Sequence, residues 1–240
     1  MKLRSFIMLN AMLAALAVAV PAFAQSWMTF DSDARYAALG DSISAGYGVV
    51  PATQGFPYQL YHSGAINKLN STLFAMMAVP GALSSDVLNY QVPQVKRFLH
   101  DTGVPHSQVV TLLIGGNDLF QIMEGANPTV VFNSLGTNLF QIISALKSQI
   151  ANAEIYVATM YNPRLPVPGE KDLIIAGNAV IANVVSAFKA DSVFLVDLYS
   201  AFEGRNGLLL SEKHGSGATE AHPTSGHQVI ADTFAAALRR

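Results

Sequence analysis

The sequence predicts a three-layer α/β/α sandwich built on a five-stranded parallel sheet. Five apolar runs rich in β-branched or aromatic residues recur along the chain. They are continuous, not alternating, as expected of strands buried on both faces. Between them lie segments whose apolar residues step by three or four, the signature of one buried helix face. The runs begin roughly 35–45 residues apart, a spacing that suits β-α-β crossovers. Composition agrees. Of 240 residues, 51% are hydrophobic and 12% charged, which excludes a disordered chain. Fourteen Lys and Arg against sixteen Asp and Glu leave a net charge of −2, so no nucleic-acid partner is expected. The absence of cysteine excludes disulfides, thiolate nucleophiles and Cys-ligated zinc.

The elements follow in order. Tyr36–Leu39 is a short first strand, followed by a helix over Phe56–Leu69. Thr72–Val79 reads as the second strand and Ser84–Leu99 as a helix, broken at Pro93. Val109–Ile114 is the third strand. A long helix then carries Val131, Leu135, Leu139, Ile142, Leu146 and Ile150 on one face, with Pro128 near its start. Ile155–Met160 is the fourth strand, and Ile174, Ile181, Val184 and Phe188 mark the next helix. Val193–Leu198 is the fifth strand; Ile230, Phe234 and Leu238 stripe a last helix entered through Pro223. The alternation fits a flavodoxin-like sheet with helices on both faces, and no repeat or linker divides residues 25–240.

The first 24 residues stand apart. Lys2 and Arg4 precede an apolar stretch, Phe6 to Val20, and Ala22-Phe23-Ala24 puts small residues before Gln25. Positive, apolar, then Ala-x-Ala is the pattern of a cleaved signal peptide. The apolar stretch of about 15 residues is short for a membrane span. Cleavage would remove two cations and no acid, moving the charge from −2 to −4. No later apolar run reaches spanning length, so no stable membrane span is expected after leader removal. The leader implies export, to a periplasm or to the cell exterior.

In an open α/β sheet, ligands bind beyond the carboxyl ends of the strands. The residues there are Gly40-Asp41-Ser42 after the first strand, Pro80-Gly81 after the second, and Gly115-Gly116-Asn117-Asp118 after the third. Asn162-Pro163-Arg164 opens a proline-rich loop after the fourth, and a Gly-rich loop ending at His222-Pro223 follows the fifth. A hydroxyl, a backbone N–H, a carboxamide and an imidazole on one rim are the parts for acyl transfer: a nucleophile, two oxyanion donors and a base. Each segment alone is also an ordinary turn. It is their order on successive strands that carries the reading. Gly40-Asp41-Ser42-Ile43-Ser44 lacks the second glycine of the Gly-x-Ser-x-Gly elbow, which excludes the α/β-hydrolase arrangement.

These segments resemble the GDSL, or SGNH, family of serine hydrolases. The matching stretches are Ala38 to Gly48, Val79-Pro80-Gly81-Ala82, Gly115-Gly116-Asn117-Asp118 and His222-Pro223-Thr224-Ser225-Gly226-His227. The resemblance implies the flavodoxin-like sandwich and ester hydrolysis with Ser42 as nucleophile and His222 as base. It implies an oxyanion hole formed by the N–H groups of Ser42 and Gly81 and the side chain of Asn117. One position departs from the pattern. The family usually has an acid three residues before the histidine, where this chain has Thr219. Three ways to orient His222 stay open: a Ser–His dyad steadied by a backbone carbonyl, Glu220 through a shifted loop, or an acid elsewhere on the rim. Acyl transfer of this kind needs no metal or organic cofactor. His214, His222 and His227 considered as metal ligands lack a companion carboxylate motif.

The expected activity is hydrolysis of carboxylic esters with short to medium acyl chains, or of lysophospholipids, so the expected partner is a small ester or lipid. The alternative is a carbohydrate O-acetyl esterase or acyltransferase acting on envelope glycans. A non-catalytic binding protein predicts loss of Ser42, Asn117 or His222, and all three are present. Asp41 and Asp118 are expected to brace their turns, residues 162–169 to overhang the site, and Leu208-Leu209-Leu210 to pack.

Overall fold

The strands form where the apolar runs place them, and they pair in one all-parallel sheet. β1 (Arg35–Gly40), β2 (Leu73–Met76), β3 (Gln108–Leu113), β4 (Glu154–Ala158) and β5 (Val193–Val196) lie in the order β2-β1-β3-β4-β5. The computed structural model describes residues 34–66, 72–99, 107–162, 168–203 and 226–238. The leader, residues 163–167 of the proline-rich loop, Leu208-Leu209-Leu210, His214, Thr219, Glu220, His222 and Pro223 lie outside the described residues.

The helices are α1 (Phe56–His62), α2, α3 (Gly116–Met123), α4 (Pro128–Gln149), α5 (Glu170–Ala187), α6 (Leu198–Phe202) and α7 (Gly226–Leu238). α2 has three consecutive stretches, Ser84–Asp86, Val87–Gln91 and Val92–Phe98, the middle one a π turn. Alternate strand residues face opposite layers. Ala37, Leu39, Val110, Leu112, Ile155 and Val157 pack with α2, α4 and α5, while Tyr36, Ala38, Val109, Tyr156 and Ala158 pack with α1, α6 and α7. This two-sided burial made the runs of β1, β3 and β4 continuous in sequence, whereas the edge strands depart from the expectation: Leu73 of β2 and Phe194 and Leu195 of β5 are exposed.

α4 shows how closely local sequence dictates an element. Asn127 caps it by accepting from the N–H of Thr129 at 2.9 Å, Pro128 occupies the first turn, and Lys147 closes the last turn on the Ala153 carbonyl at 2.8 Å. Its 22 residues are long and apolar enough to cross a bilayer by length and composition. Instead Val131, Leu135, Leu139, Ile142, Ile143 and Leu146 are buried as its core face. Each such side chain contributes about 1.5–3 kcal/mol by leaving water.

Several expectations needed correction. Pro93 does not break α2. The π turn ends just before it, with Val92 N–H reaching the Val87 carbonyl, and Pro93 falls in the first turn of the next stretch, where its missing N–H is tolerated. β2 is only four residues long. Beyond it, the N–H groups of Met77 and Val79 still donate to the carbonyls of Ala38 and Gly40, so the chain follows β1 without strand geometry. β5 stops at Val196 because Asp197 caps α6, accepting from the N–H of Ser200 at 3.0 Å. α1 ends at His62, where Ser63 caps it and Gly64 turns the chain at φ +77°. Gly115-Gly116-Asn117-Asp118, read as a turn, continues into α3.

Candidate active site

The turn after β1 is set by one glycine. Gly40 has φ +135°, and a Cβ there would lie 2.1 Å from the Leu113 carbonyl oxygen. Only glycine lets β1 and β3 close at this point. The following residues wind tightly. Asp41 Oδ1 accepts from the Ile43 N–H at 2.9 Å, and the Tyr47 N–H donates to the Ser42 carbonyl at 2.8 Å. Ser42 is half-buried just past the carboxyl end of β1, and chain order reverses across the sheet between β1 and β3. Such switch points are where open α/β sheets bind ligands.

Asp41 is buried, and burial pushes its carboxyl up to about 6, against the Ile43 hydrogen bond and reinforced by the nearby charge of Asp118. Its Oδ2 is 3.8 Å from where a Cβ on Gly116 would stand, so the Ser42 turn rests against the start of α3. The same carboxylate adds to the burial that pushes the Tyr161 hydroxyl up.

The segments that carry Gly81 and Asn117 are tied together by a partly buried polar network. Gly81 is exposed, with φ +80°. Asn117 Nδ2 donates to the carbonyl of Ala82, the next residue, at 2.9 Å. That bond orients the carboxamide and uses one of its two N–H groups. Asp118 accepts from the Ser84 N–H at 3.0 Å and the Ser84 hydroxyl at 2.6 Å, and Asn138 of α4 donates to the same hydroxyl oxygen at 2.9 Å. Burial raises the Asp118 carboxyl while the two Ser84 bonds pull it down. Asp118 therefore braces two segments as well as its own turn.

On the other side of the sheet the last histidine of the final motif, His227, is fully buried. Its Nδ1 accepts from the Phe56 N–H at 3.2 Å, and its Nε2 donates to the Tyr47 carbonyl at 2.9 Å. Both ring nitrogens engage backbone, which removes His227 from the metal-ligand set considered with His214 and His222. Among the described residues no three His, Asp or Glu side chains gather as a metal site. Asp197, at the carboxyl end of β5, is an exposed acid on the rim and also accepts from the Thr159 hydroxyl at 3.4 Å.

Sequence reasoning missed Gln91, Ser84, Asn138 and His227 as contributors. Gln91 left one signal, a carboxamide on an otherwise apolar helix face; Ser84 and Asn138 left none. His227 was visible in its motif, but its partners are backbone groups about 170 to 180 residues away.

The sequence matches the GDSL-like lipase/acylhydrolase family over residues 38–229. It matched no curated protein. Among solved structures, the chain is similar to the lipase Lip_vut3 from a goat rumen metagenome, at 23% identity and TM-score 0.63, over 85% of this chain and 97% of that one. It is similar to phospholipase A1 from Streptomyces albidoflavus NA297, at 20% identity and TM-score 0.55, over 85% and 99% of the two chains. It is also similar to a catalytic mutant of Axe2, an acetylxylan esterase from Geobacillus stearothermophilus, at 14% identity and TM-score 0.62, over 85% and 94%. At these identities the structural likeness bears on the fold, whereas the family match spans well over half of the chain; the chain belongs to the GDSL-like lipase/acylhydrolase family and is a serine ester hydrolase.

Proposed function

We propose that this protein is an exported esterase or lipase that cleaves short to medium acyl esters or lysophospholipids through an acyl-enzyme on Ser42. His222 takes the Ser42 proton as the hydroxyl oxygen bonds to the ester carbonyl carbon. The carbonyl oxygen becomes negative and is met by the N–H groups of Ser42 and Gly81 and the remaining N–H of Asn117. Each preorganised donor contributes about 3 kcal/mol to the transition state. His222 then protonates the leaving alcohol as the carbon–oxygen bond breaks. Water repeats the sequence, releasing the acid and restoring Ser42.

The observation that carries this reading is the Asn117–Ala82 bond. It fixes a carboxamide with one unspent N–H beside Gly81, at the rim that also carries Ser42. A lipid-like acyl group is favoured over a sugar acetate by the exposed apolar side chains flanking these residues. Tyr47 and Val50 are 62% and 81% exposed in the loop after Ser42, and Val79 is 50% exposed just before Gly81. The Axe2 likeness keeps a glycan O-acetyl esterase as the second reading. Export rests on the leader, and cleavage before Gln25 is checked by N-terminal sequencing of the exported protein.

The test is hydrolysis of a p-nitrophenyl ester series from acetate to palmitate by residues 25–240, beside Ser42→Ala. Turnover that vanishes in the variant, with an optimum beyond acetate, is the expected result. Activity surviving in Ser42→Ala would sink the nucleophile assignment. An optimum at acetate would favour the glycan reading.

A further inference from the structure

The buried face of α2 is apolar except at one position. Val87, Val92 and Val95 pack into the core, and among them Gln91 is 1% exposed. An unpaired carboxamide buried there would cost about 1–3 kcal/mol. Both of its polar atoms are paired, and both pair with the same residue. Gln91 Oε1 accepts from the Gly40 N–H at 2.9 Å, and Gln91 Nε2 donates to the Gly40 carbonyl at 2.8 Å. The two bonds grip a single residue of the strand from the helix above it.

That residue is the hinge of the Ser42 turn. Gly40 has φ +135°, and no side chain of its own holds it in place. A rotation there would swing the Asp41–Ser42 peptide and, with it, the Ser42 N–H and hydroxyl. The helix is modified where the grip is made. Gln91 closes the π turn Val87–Gln91, and the wider turn presents both Gln91 and Val92 to the interior, with Val87 and Val95 on either side. π turns have poorer hydrogen-bond geometry than α turns and recur at functional positions.

We propose that Gln91 is a positioning residue for ester hydrolysis, its carboxamide fixing the Gly40 backbone so that Ser42 meets the ester carbonyl at the correct angle and distance. The proposal rests on the reading of Ser42 as nucleophile. Gln91 touches neither substrate nor reacting atoms, so its effect belongs in kcat and in the rate of Ser42 modification, not in KM.

The experiment compares Gln91→Met, which keeps the length and loses both hydrogen bonds, with Val95→Ala, a packing defect in the same helix. kcat and KM for a p-nitrophenyl ester, the rate of Ser42 labelling by a fluorophosphonate, and Tm are measured on the full chain, well below each Tm. Gln91→Met is expected to lower kcat and the labelling rate about 10- to 100-fold, with KM within about twofold of wild type. Val95→Ala is expected to lower Tm and leave kcat in place. If Gln91→Met folds poorly, Gln91→Leu carries the same test, since it also fills the buried site and loses both hydrogen bonds to Gly40. A Gln91 variant that loses Tm but keeps wild-type kcat and labelling overturns the proposal. Ser42→Ala, run in parallel, separates the two failures: activity persisting there overturns the nucleophile reading, whereas a dead Ser42→Ala beside an unimpaired Gln91→Met overturns only the role of Gln91.

Discussion

The two faces of the sheet hold the rim in different ways. Toward α2, α4 and α5 the strands present Ala37, Leu39, Val110, Leu112, Ile155 and Val157, and the core there is almost wholly aliphatic. Toward α1, α6 and α7 they present Tyr36 and Tyr156, packed with Phe56, Tyr161, Phe202 and Phe234. The aliphatic side carries a dense set of buried polar clamps: Gln91 on Gly40, Asn117 on Ala82, and Asp118 with Asn138 on Ser84. The aromatic side reaches the Ser42 turn through His227, which leads back from α7 to Tyr47 and so to the Ser42 carbonyl. The aliphatic layer thus orders the backbone that would bind an oxyanion. The aromatic layer anchors the helix that follows His222. Damage to the first is expected in transition-state binding, and damage to the second in the coupling of turn to helix.

The largest effect comes from breaking the point the two sides share. Gly40→Ala places a methyl 2.1 Å from the Leu113 carbonyl oxygen at a φ that L residues rarely adopt. The expected loss is about 4 kcal/mol or more, read from the urea midpoint, with no active folded protein at 37 °C. A stable and active Gly40→Ala would mean that β1 and β3 do not meet as described.

The next effect is confined to the aliphatic side. Asn117→Ala is expected to lower kcat about 100- to 1,000-fold, with a modest loss of Tm because the Ala82 carbonyl loses its donor. Asp118→Ala acts at one remove, by freeing Ser84 and the Gly81 segment, so a smaller loss of kcat accompanied by a clear loss of Tm is expected. Equal kcat losses in both variants would argue that the network itself, and not the Asn117 N–H, is what the reaction needs.

His227→Ala tests the aromatic side. It leaves the Phe56 N–H and the Tyr47 carbonyl without their imidazole partner in a buried site, at a cost of about 2 kcal/mol. Its kcat is expected to fall less than that of Asn117→Ala, because the donors opposite stay pinned. Thermal unfolding together with a pH–rate profile checks this. An unchanged Tm would show that the link between α7 and the Ser42 turn carries no load.

The same contrast explains what was legible in the sequence. Strands buried on both faces leave continuous apolar runs, so β1, β3 and β4 could be read directly, and the exposed edges β2 and β5 were legible from their β-branched and aromatic residues. α4 was legible because proline and stripe agree. Pro93 misled because proline propensity is a local rule, and a π turn upstream satisfied it without breaking the helix. Gln91, Ser84 and Asn138 were illegible for a different reason. Their partners are backbone atoms or side chains 34 to 54 positions away, and no periodicity encodes a hydrogen bond to Gly40 or a shared hydroxyl.

The smallest effect concerns the carboxyl between the two sides. Asp41 is held at about 6 in the fold against an ordinary value of 3.8, chiefly because burial disfavours its charge. The folded state therefore binds the proton more tightly than the unfolded chain does. The stability this adds is fully present below pH 3.8, declines as pH rises through about 6, and is gone above it. At full ionisation the buried charge costs on the order of 3 kcal/mol. Asp41→Asn removes that cost but gives the Ile43 N–H a weaker, neutral acceptor and adds an amide N–H to satisfy, which together return about 2 kcal/mol. The net expectation is a gain of about 1 kcal/mol at pH 8, or roughly 2–4 °C in Tm. That gain should shrink steadily as pH falls below 6 and change sign at about pH 5, as the wild-type carboxyl becomes neutral. Tm of both proteins measured from pH 4 to 8 tests it. A difference that does not vary with pH would mean that Asp41 stays ionised throughout, stabilised by the N–H groups around it, and that the Ser42 turn is a more polar place than its burial suggests.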